Sequence, residues 1–216
     1  MRTRRSDERG FTLAELLVGI TLALIAGAGA VTFVRAQSLA MQVQAGQADL
    51  NDSSRGAIDF MTREIRLAGY APFPPCPGAA GGLPAGFGIV SGGTLSLHIQ
   101  YDLSEDGIIQ TGAAASEDVT YQYVAATHTL QRVVGGVASD VVTDLPEGAF
   151  QFKYYDSINT EIVPGAGGLT AGQMASVYRV GIRLEPSKVP DTRITTQGHA
   201  SLWTNVGIRS REYHCQ

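Results

Sequence analysis

The stretch Arg9-Gly10-Phe11-Thr12-Leu13-Ala14-Glu15-Leu16-Leu17 decides how this 216-residue chain is read. It joins a basic leader to an apolar run lasting to Val34, and it places one carboxylate inside that run. Residues 1–10 carry Arg2, Arg4, Arg5 and Arg9 against Asp7 and Glu8, a net charge of +2. In the 24 residues from Phe11 to Val34 the only ionisable side chain is Glu15. At about 1.5 Å per residue a helix of that length reaches roughly 36 Å, enough to cross a hydrocarbon core of about 30 Å with some tilt. An ionisable group at that depth is costly, and by default it marks function. A cleaved secretory signal has a shorter apolar region, although Ala26 to Ala30 offers small residues of the kind signal peptidase uses. By the positive-inside rule the arginines keep the N-terminus in the cytoplasm and set the body on the far side of the membrane.

Beyond Val34 the helical pattern continues in polar form through Arg35, Gln37, Gln42, Gln44 and Gln47, with no proline before Pro72. Its last third is amphipathic: Leu50, Ile58, Met61, Ile65 and Ala68 recur at near-helical intervals. Arg55, Asp59, Arg63, Glu64 and Arg66 are expected to fill the remaining, wet circumference. Gly69 supplies a stop, and Pro72, Pro74, Pro75 and Pro77 prevent resumption. The pattern predicts one helix over residues 11–68, its first half in the membrane and its second half packed on a globular domain. Gly27, Gly29, Gly46 and Gly56 weaken it locally by about 1 kcal/mol each relative to alanine.

After the prolines the period changes to two. Leu95, Leu97, Ile99 and Tyr101 alternate with polar residues, as do Val119, Tyr121 and Tyr123, then Phe150, Phe152 and Tyr154, then Tyr178, Val180, Ile182 and Leu184. Leu202, Thr204, Val206 and Ile208 make a weaker last case. Such strands have one face on a core and one in water, which is the signature of antiparallel sheet. Gly135-Gly136, between Leu130–Val134 and Val137–Val142, reads as a hairpin turn. Residues 72–93 and 164–172 read as loops. The expected fold class is α+β: a long N-terminal helix on a mainly antiparallel sheet. The segments are a leader at 1–10, a membrane part of the helix at 11–34, its amphipathic part at 35–68 and a β-rich domain at 69–216.

Gly10-Phe11-Thr12-Leu13-Ala14-Glu15-Leu16-Leu17 resembles the class III signal of type IV pilins and of type II secretion pseudopilins. The resemblance implies cleavage between Gly10 and Phe11 by a membrane-embedded prepilin peptidase, with N-methylation of Phe11 after it. It also makes Glu15 an assembly contact, one helical turn from the amine that cleavage would create. The helix end, Arg66-Leu67-Ala68-Gly69-Tyr70, is similar to the corresponding region of PilW-type minor pilins, and less so to J-type minor pseudopilins. The role this resemblance implies is that of a structural subunit priming or capping a type IV pilus. The J-type pseudopilin and a membrane-tethered adhesin are the alternatives. Implied partners are the peptidase, other minor and major pilins, and a bacterial inner membrane, with the C-terminal domain in the periplasm before it reaches a pilus or the cell surface.

The chain's net charge is −4 and the leader's is +2, leaving −6 on the remaining 206 residues. No basic stripe suggests nucleic-acid binding. Cys76 and Cys215 are the only cysteines, and in an exported chain an even pair suggests a disulfide, here enclosing 138 residues. Two free thiols, or a lipid- or partner-linked one, are the alternatives. Asp102, Ser104 and Asp106, with Gly107 after them, resemble the opening of a calcium loop, but Ala113 stands where a bidentate glutamate is needed. An acidic turn is the preferred reading, with no metal and no cofactor expected. His98, His128, His199 and His214 show no ligand spacing and read as exposed strand or tail residues. No Gly-x-Ser-x-Gly setting or P-loop ending occurs, so an enzyme is not expected.

Overall fold

In the computed structural model, residues 11–71, 87–106, 108–112, 117–188 and 198–208 are described. Helix α1 (Leu13–Leu67) realises the long apolar and then amphipathic pattern almost residue for residue. It runs through the boundary between two compact units, which meet at Ala45 and Gly46. In the first unit the described helical residues are almost all exposed, including Leu16, Leu17, Ile20, Leu22, Ile25, Val31 and Phe33. An 18-residue window of α1 has mean hydropathy 2.2, so the helix is long and apolar enough to cross a membrane. Gly27 and Gly29 are helical like their neighbours.

In the second unit α1 buries one stripe, formed by Leu50, Ser54, Ala57, Ile58, Met61, Glu64 and Ile65. Met61 and Ile65 are completely buried. Burying a side chain of that size contributes about 1.5–3 kcal/mol. The helix ends as its sequence demands. Gly69 takes a left-handed φ of 73°, Tyr70 N–H donates to Leu67 O at 2.7 Å, and Gly69 N–H donates to Gln100 O at 2.8 Å. A side chain could not replace the hydrogen of Gly88, because its Cβ would lie 3.3 Å from the Cα of Gly69 and φ there is 107°. Two glycines therefore let two backbone segments cross at the end of the helix.

Five strands form the first sheet: β1 (Ile89–Gly92), β2 (Ser96–Gln100), β3 (Asp118–Val124), β4 (Thr129–Val134) and β5 (Val137–Val142). They lie side by side in chain order and every pair is antiparallel. The expected Gly135-Gly136 turn is present, with φ of 54° and 79°. Positive φ at both central positions favours glycine, with asparagine and aspartate the main alternatives. Strand β1 falls inside the stretch read as a loop. It is short, bulged and flanked by glycines, so it lacks a clear alternation.

The second sheet has the order β11–β8–β6–β7, with β6 (Phe150–Tyr155), β7 (Glu161–Ile162), β8 (Arg179–Leu184) and β11 (Leu202–Gly207). A two-residue ladder joins β9 (Ser187–Lys188) to β10 (Gly198–His199). The short helix α2 (Ala171–Ser176) begins within the other expected loop. Its N-cap is Thr170, whose side chain and that of Gln173 close a capping box. That Thr-x-x-Gln spacing is a readable helix start. Phe150, Phe152 and Tyr154 face the core shared by both sheets, the two phenylalanine rings meeting edge to face at 4.9 Å. Tyr154 ties the sheets together by donating its hydroxyl to Gly93 O at 2.8 Å, and Phe152 N–H donates to Thr94 O at 2.8 Å. Burial pushes the Tyr154 phenol pKa upward.

Glu64 corrects the expectation of a wet side chain: it is 8% exposed. Arg132 of β4 grips it with two nitrogens, Nη2 to Oε1 at 2.6 Å and Nε to Oε2 at 3.0 Å. The hydroxyl of Tyr121 donates to Oε2, and that of Tyr101 lies 3.4 Å from Oε1. The Arg132 guanidinium also sits over the ring of Phe60, 5.5 Å from its centroid. Its pKa is raised by the hydrogen bonds to Glu64, while burial and the Glu64 charge push both phenols upward. Removing one partner of a buried ion pair leaves the other charge uncompensated. Arg132→Ala is therefore expected to cost about 3–5 kcal/mol in urea unfolding. A loss below about 1 kcal/mol, the scale of an exposed pair, would show that Glu64 needs no partner.

Candidate assembly site at the N-terminus

The first turn of α1 leaves four backbone N–H groups without helical partners, and in an apolar medium each is costly. Thr12 and Glu15 answer that need. Thr12 Oγ1 accepts from the Glu15 N–H at 3.3 Å, and Glu15 Oε2 accepts from the Thr12 N–H at 3.0 Å. The Thr12 hydroxyl donates to the same Oε2 at 2.9 Å. This is a capping box, with threonine at the N-cap and glutamate at the third helical position. Both donors to the carboxylate use Oε2. Among the described residues Oε1 accepts no hydrogen bond, so one oxygen is left for a donor from elsewhere.

The surroundings of this carboxylate are apolar. Phe11, Leu16, Gly19, Ile20 and Ala23 line a shallow depression of about 300 Å³ beside Glu15. Phe11 is 87% exposed, and no atom lies within 4 Å of where a Gly19 side chain would begin. The helix thus presents a carboxylate at the head of an apolar face in which Gly19 and Ala23 leave a shallow gap between larger side chains. Gly10, the other half of the expected cleavage junction, lies outside the described residues.

Residues 5–31 match the family model for the prokaryotic N-terminal methylation motif. The N-terminal segment is type IV prepilin-like. The match supports a type IV pilin-like or pseudopilin-like protein, with a motif of the kind processed by prepilin peptidase and found in proteins that associate with pilins. The apolar helix and the prepilin motif together point to membrane anchoring. A search of the curated proteins gave no match, and a search of solved structures gave none.

The remaining expected site residues fall elsewhere. Cys76 and Cys215 lie outside the described residues, so the expected disulfide cannot be placed. Asp102, Ser104 and Asp106 do come together in the loop after β2. Ser104 Oγ is 3.4 Å from Asp102 Oδ1, and Asp106 accepts from the Ile108 N–H at 2.9 Å and from Gln110 Nε2 at 2.9 Å. Gly107 and Ala113 lie outside the described residues. The loop is organised by Glu117, a residue that the sequence pattern does not single out. Its Oε1 accepts from the N–H groups of Leu103 at 2.9 Å and Ser104 at 2.7 Å, and its Oε2 from that of Gln110 at 3.0 Å. Among the described residues no group of three or more His, Cys, Asp or Glu side chains is placed to hold a metal ion. His98 is half-buried in β2 and paired with Asp118, whereas His128 and His199 are exposed as expected.

Burial disfavours the ionised Glu117, but the backbone donors of Gln110, Ser104 and Leu103 outweigh it and hold the pKa below the usual value. A carboxyl depressed in the folded state stabilises the fold above its unfolded pKa, about 4.3, and that contribution disappears as pH falls through the folded value. The stability gap between the wild type and Glu117→Gln should therefore narrow from pH 6 toward pH 3 in urea unfolding. A pH-independent gap would remove the ionised form from the account. For the cap, Thr12→Val should weaken the first turn by about 0.5–2 kcal/mol. Faster amide exchange at residues 13–16 in detergent micelles would register it, and unchanged exchange would show the capping box to be idle.

Proposed function

We propose that this chain is a minor pilin of the PilW type, a structural subunit that primes assembly of a type IV pilus or caps it. The observation carrying this reading is the capped Glu15 at the head of an exposed apolar helix, in a segment that matches the methylation motif. Cleavage after Gly10 would turn the Phe11 amide into a cationic amine one turn from Glu15, and Oε1 is the oxygen left to receive such a charge. In low dielectric an unpaired ion is costly, so a neighbouring subunit whose amine reaches this carboxylate relieves two charges at once. Axial register between subunits is then set by electrostatics as well as by shape. Prepilin peptidase, other minor pilins and the major pilin are the partners of this reading. The body lies in the periplasm and then on the pilus, joined to its own C-terminal end by a Cys76–Cys215 disulfide. The role is structural, and no catalysis is assigned to the chain.

The PilW reading rests on the resemblance of the helix end, Arg66 to Tyr70. Ala68 is buried, Gly69 provides the left-handed stop, and the hydroxyl of Tyr70 donates to Glu105 at 3.0 Å. Each of these three residues therefore has a structural task at the junction with the β-domain. Deletion tests the assignment: loss of surface pili and of twitching supports it, whereas loss of exoprotein secretion with pili intact replaces it with a J-type pseudopilin. Glu15→Ala is expected to leave leader cleavage largely intact and to impair incorporation into filaments, read by immunoblot of sheared pili. Normal incorporation of that variant would sink the assembly role of Glu15.

A further inference from the structure

The outer face of the second sheet carries chemistry that neither the fold nor the N-terminal site uses. Cross-strand register sets three rows on it: Trp203, Arg183 and Gln151; Asn205, Gly181 and Lys153; Gly207, Arg179 and Tyr155. The intervening residues of β6 and β8, Phe152, Tyr154, Val180 and Ile182, are buried, so these rows point away from the core. Trp203 is the only tryptophan of the chain and is 47% exposed. Gly181 is what seats it. A Cβ on Gly181 would lie 3.0 Å from Cη2 of the indole and 3.0 Å from Oδ1 of Asn205. The indole therefore lies so close over Gly181 that a larger residue there would have to push it aside.

Fixed polar groups surround that ring. Lys153 Nζ is 5.9 Å from the indole centroid and pairs with Glu161 at 3.1 Å, and Arg183 Nη2 pairs with Glu185 at 2.6 Å. Arg179 stacks on Tyr155, 5.3 Å from the ring centroid, and no carboxylate among the described residues pairs with it. The charge of the chain is also polarised. Residues 67–131 hold five carboxylates and no lysine or arginine, whereas residues 150–216 hold seven lysines and arginines against five carboxylates. On the face itself Lys153 and Arg183 are paired with Glu161 and Glu185, so Arg179, which no carboxylate among the described residues pairs with, is the cation available to an anion.

We propose that this face binds an anionic polysaccharide, with a pyranose ring stacked on Trp203 and a sugar carboxylate paired with Arg179. A pyranose offers a face of C–H bonds that suits a flat indole, and its hydroxyls suit a fringe of immobilised planar donors and acceptors. Sites of this kind join an aromatic surface to a few fixed polar groups that set orientation. Arg179 adds a guanidinium able to take a carboxylate through two parallel hydrogen bonds. A protein partner would use the same tryptophan, tyrosine and arginine side chains, but Trp203 stands 47% exposed on an open sheet face. Protein interface cores are built around apolar and aromatic anchors in desolvated pockets.

The sole tryptophan makes the experiment direct. The full chain in detergent micelles would be titrated with hexagalacturonate, neutral chitohexaose and poly-L-glutamate, reading Trp203 emission and, for the variants, heat by calorimetry. Saturable binding of hexagalacturonate is expected, weakened about tenfold or more by Arg179→Gln, abolished by Trp203→Ala and partly kept by Trp203→Tyr. Unfolding midpoints check that each variant is folded, and if Trp203→Ala is not, Arg179→Gln and Trp203→Tyr carry the test. Absence of saturable binding overturns the proposal, as does indifference to Arg179→Gln. Equal binding of chitohexaose overturns the charge assignment. Equal binding of poly-L-glutamate overturns the glycan in favour of an acidic protein surface.

Discussion

A carboxylate buried on a helix is the constraint around which the β-domain is arranged. A carboxylate can be buried there only where strong donors reach both its oxygens, and Glu64 draws those donors from three places in the sheet, all distant from it in the chain. Arg132 lies on β4, Tyr121 on β3 directly opposite it, and Tyr101 just after β2. The rotation of α1 about its axis and the register of the central strands are therefore set together. A one-residue slip of β4 would turn Arg132 to the wet face and bring Gln131 or Val133 inward. Hydrophobic burial alone would tolerate several rotations of the helix over the sheet, because Ala57, Ile58, Met61 and Ile65 are of similar character. The ion pair selects among them.

The same logic explains how two separate sheets share one core. Neither sheet closes on itself, and the seam between them lies where the β1–β2 turn meets the edge of β6. Three contacts hold it: Phe152 N–H on Thr94 O, the Tyr154 hydroxyl on Gly93 O, and Leu169 N–H on Gly92 O. Each satisfies a turn carbonyl that would otherwise lose water as the seam is buried, and so avoids the cost of an unpaired polar group. The turn that the alternation pattern leaves unmarked is the hinge of the architecture.

Much of this was legible in the sequence, for identifiable reasons. Strands β2, β3, β6 and β8 have one wet face and one dry face, so their side chains alternate and their places could be read directly. Gly135-Gly136 is a turn whose backbone admits few other residues, and it too was legible. Strand β1 was not, because four residues with a bulge cannot display a period. Glu64 was misread because a helical wheel knows only its own helix: the partner that makes burial tolerable is 68 residues away. Glu117 was missed for the same reason, since its ligands are backbone N–H groups that no side-chain pattern announces. At the N-terminus the Gly10-Phe11 pair and the glutamate in the apolar run were legible as a motif. The Thr12-x-x-Glu15 capping box was written in the same residues and went unread.

That capping box changes what an assembly contact at Glu15 can contribute. If the carboxylate were bare in the isolated chain, pairing it with a neighbour's amine would relieve the whole cost of a buried ion. With Oε2 already holding the Thr12 N–H and hydroxyl, the isolated helix is partly compensated, and the neighbour gains only what Oε1 still offers. A contact of the proposed kind would be weaker but better aimed, because the cap fixes the carboxylate before any partner arrives. Glu64 and Glu15 are two carboxylates on one helix under the same physical rule. The first is saturated by its own domain and serves the fold, and the second has one oxygen without a hydrogen bond among the described residues, the oxygen that a partner in the proposed assembly would use.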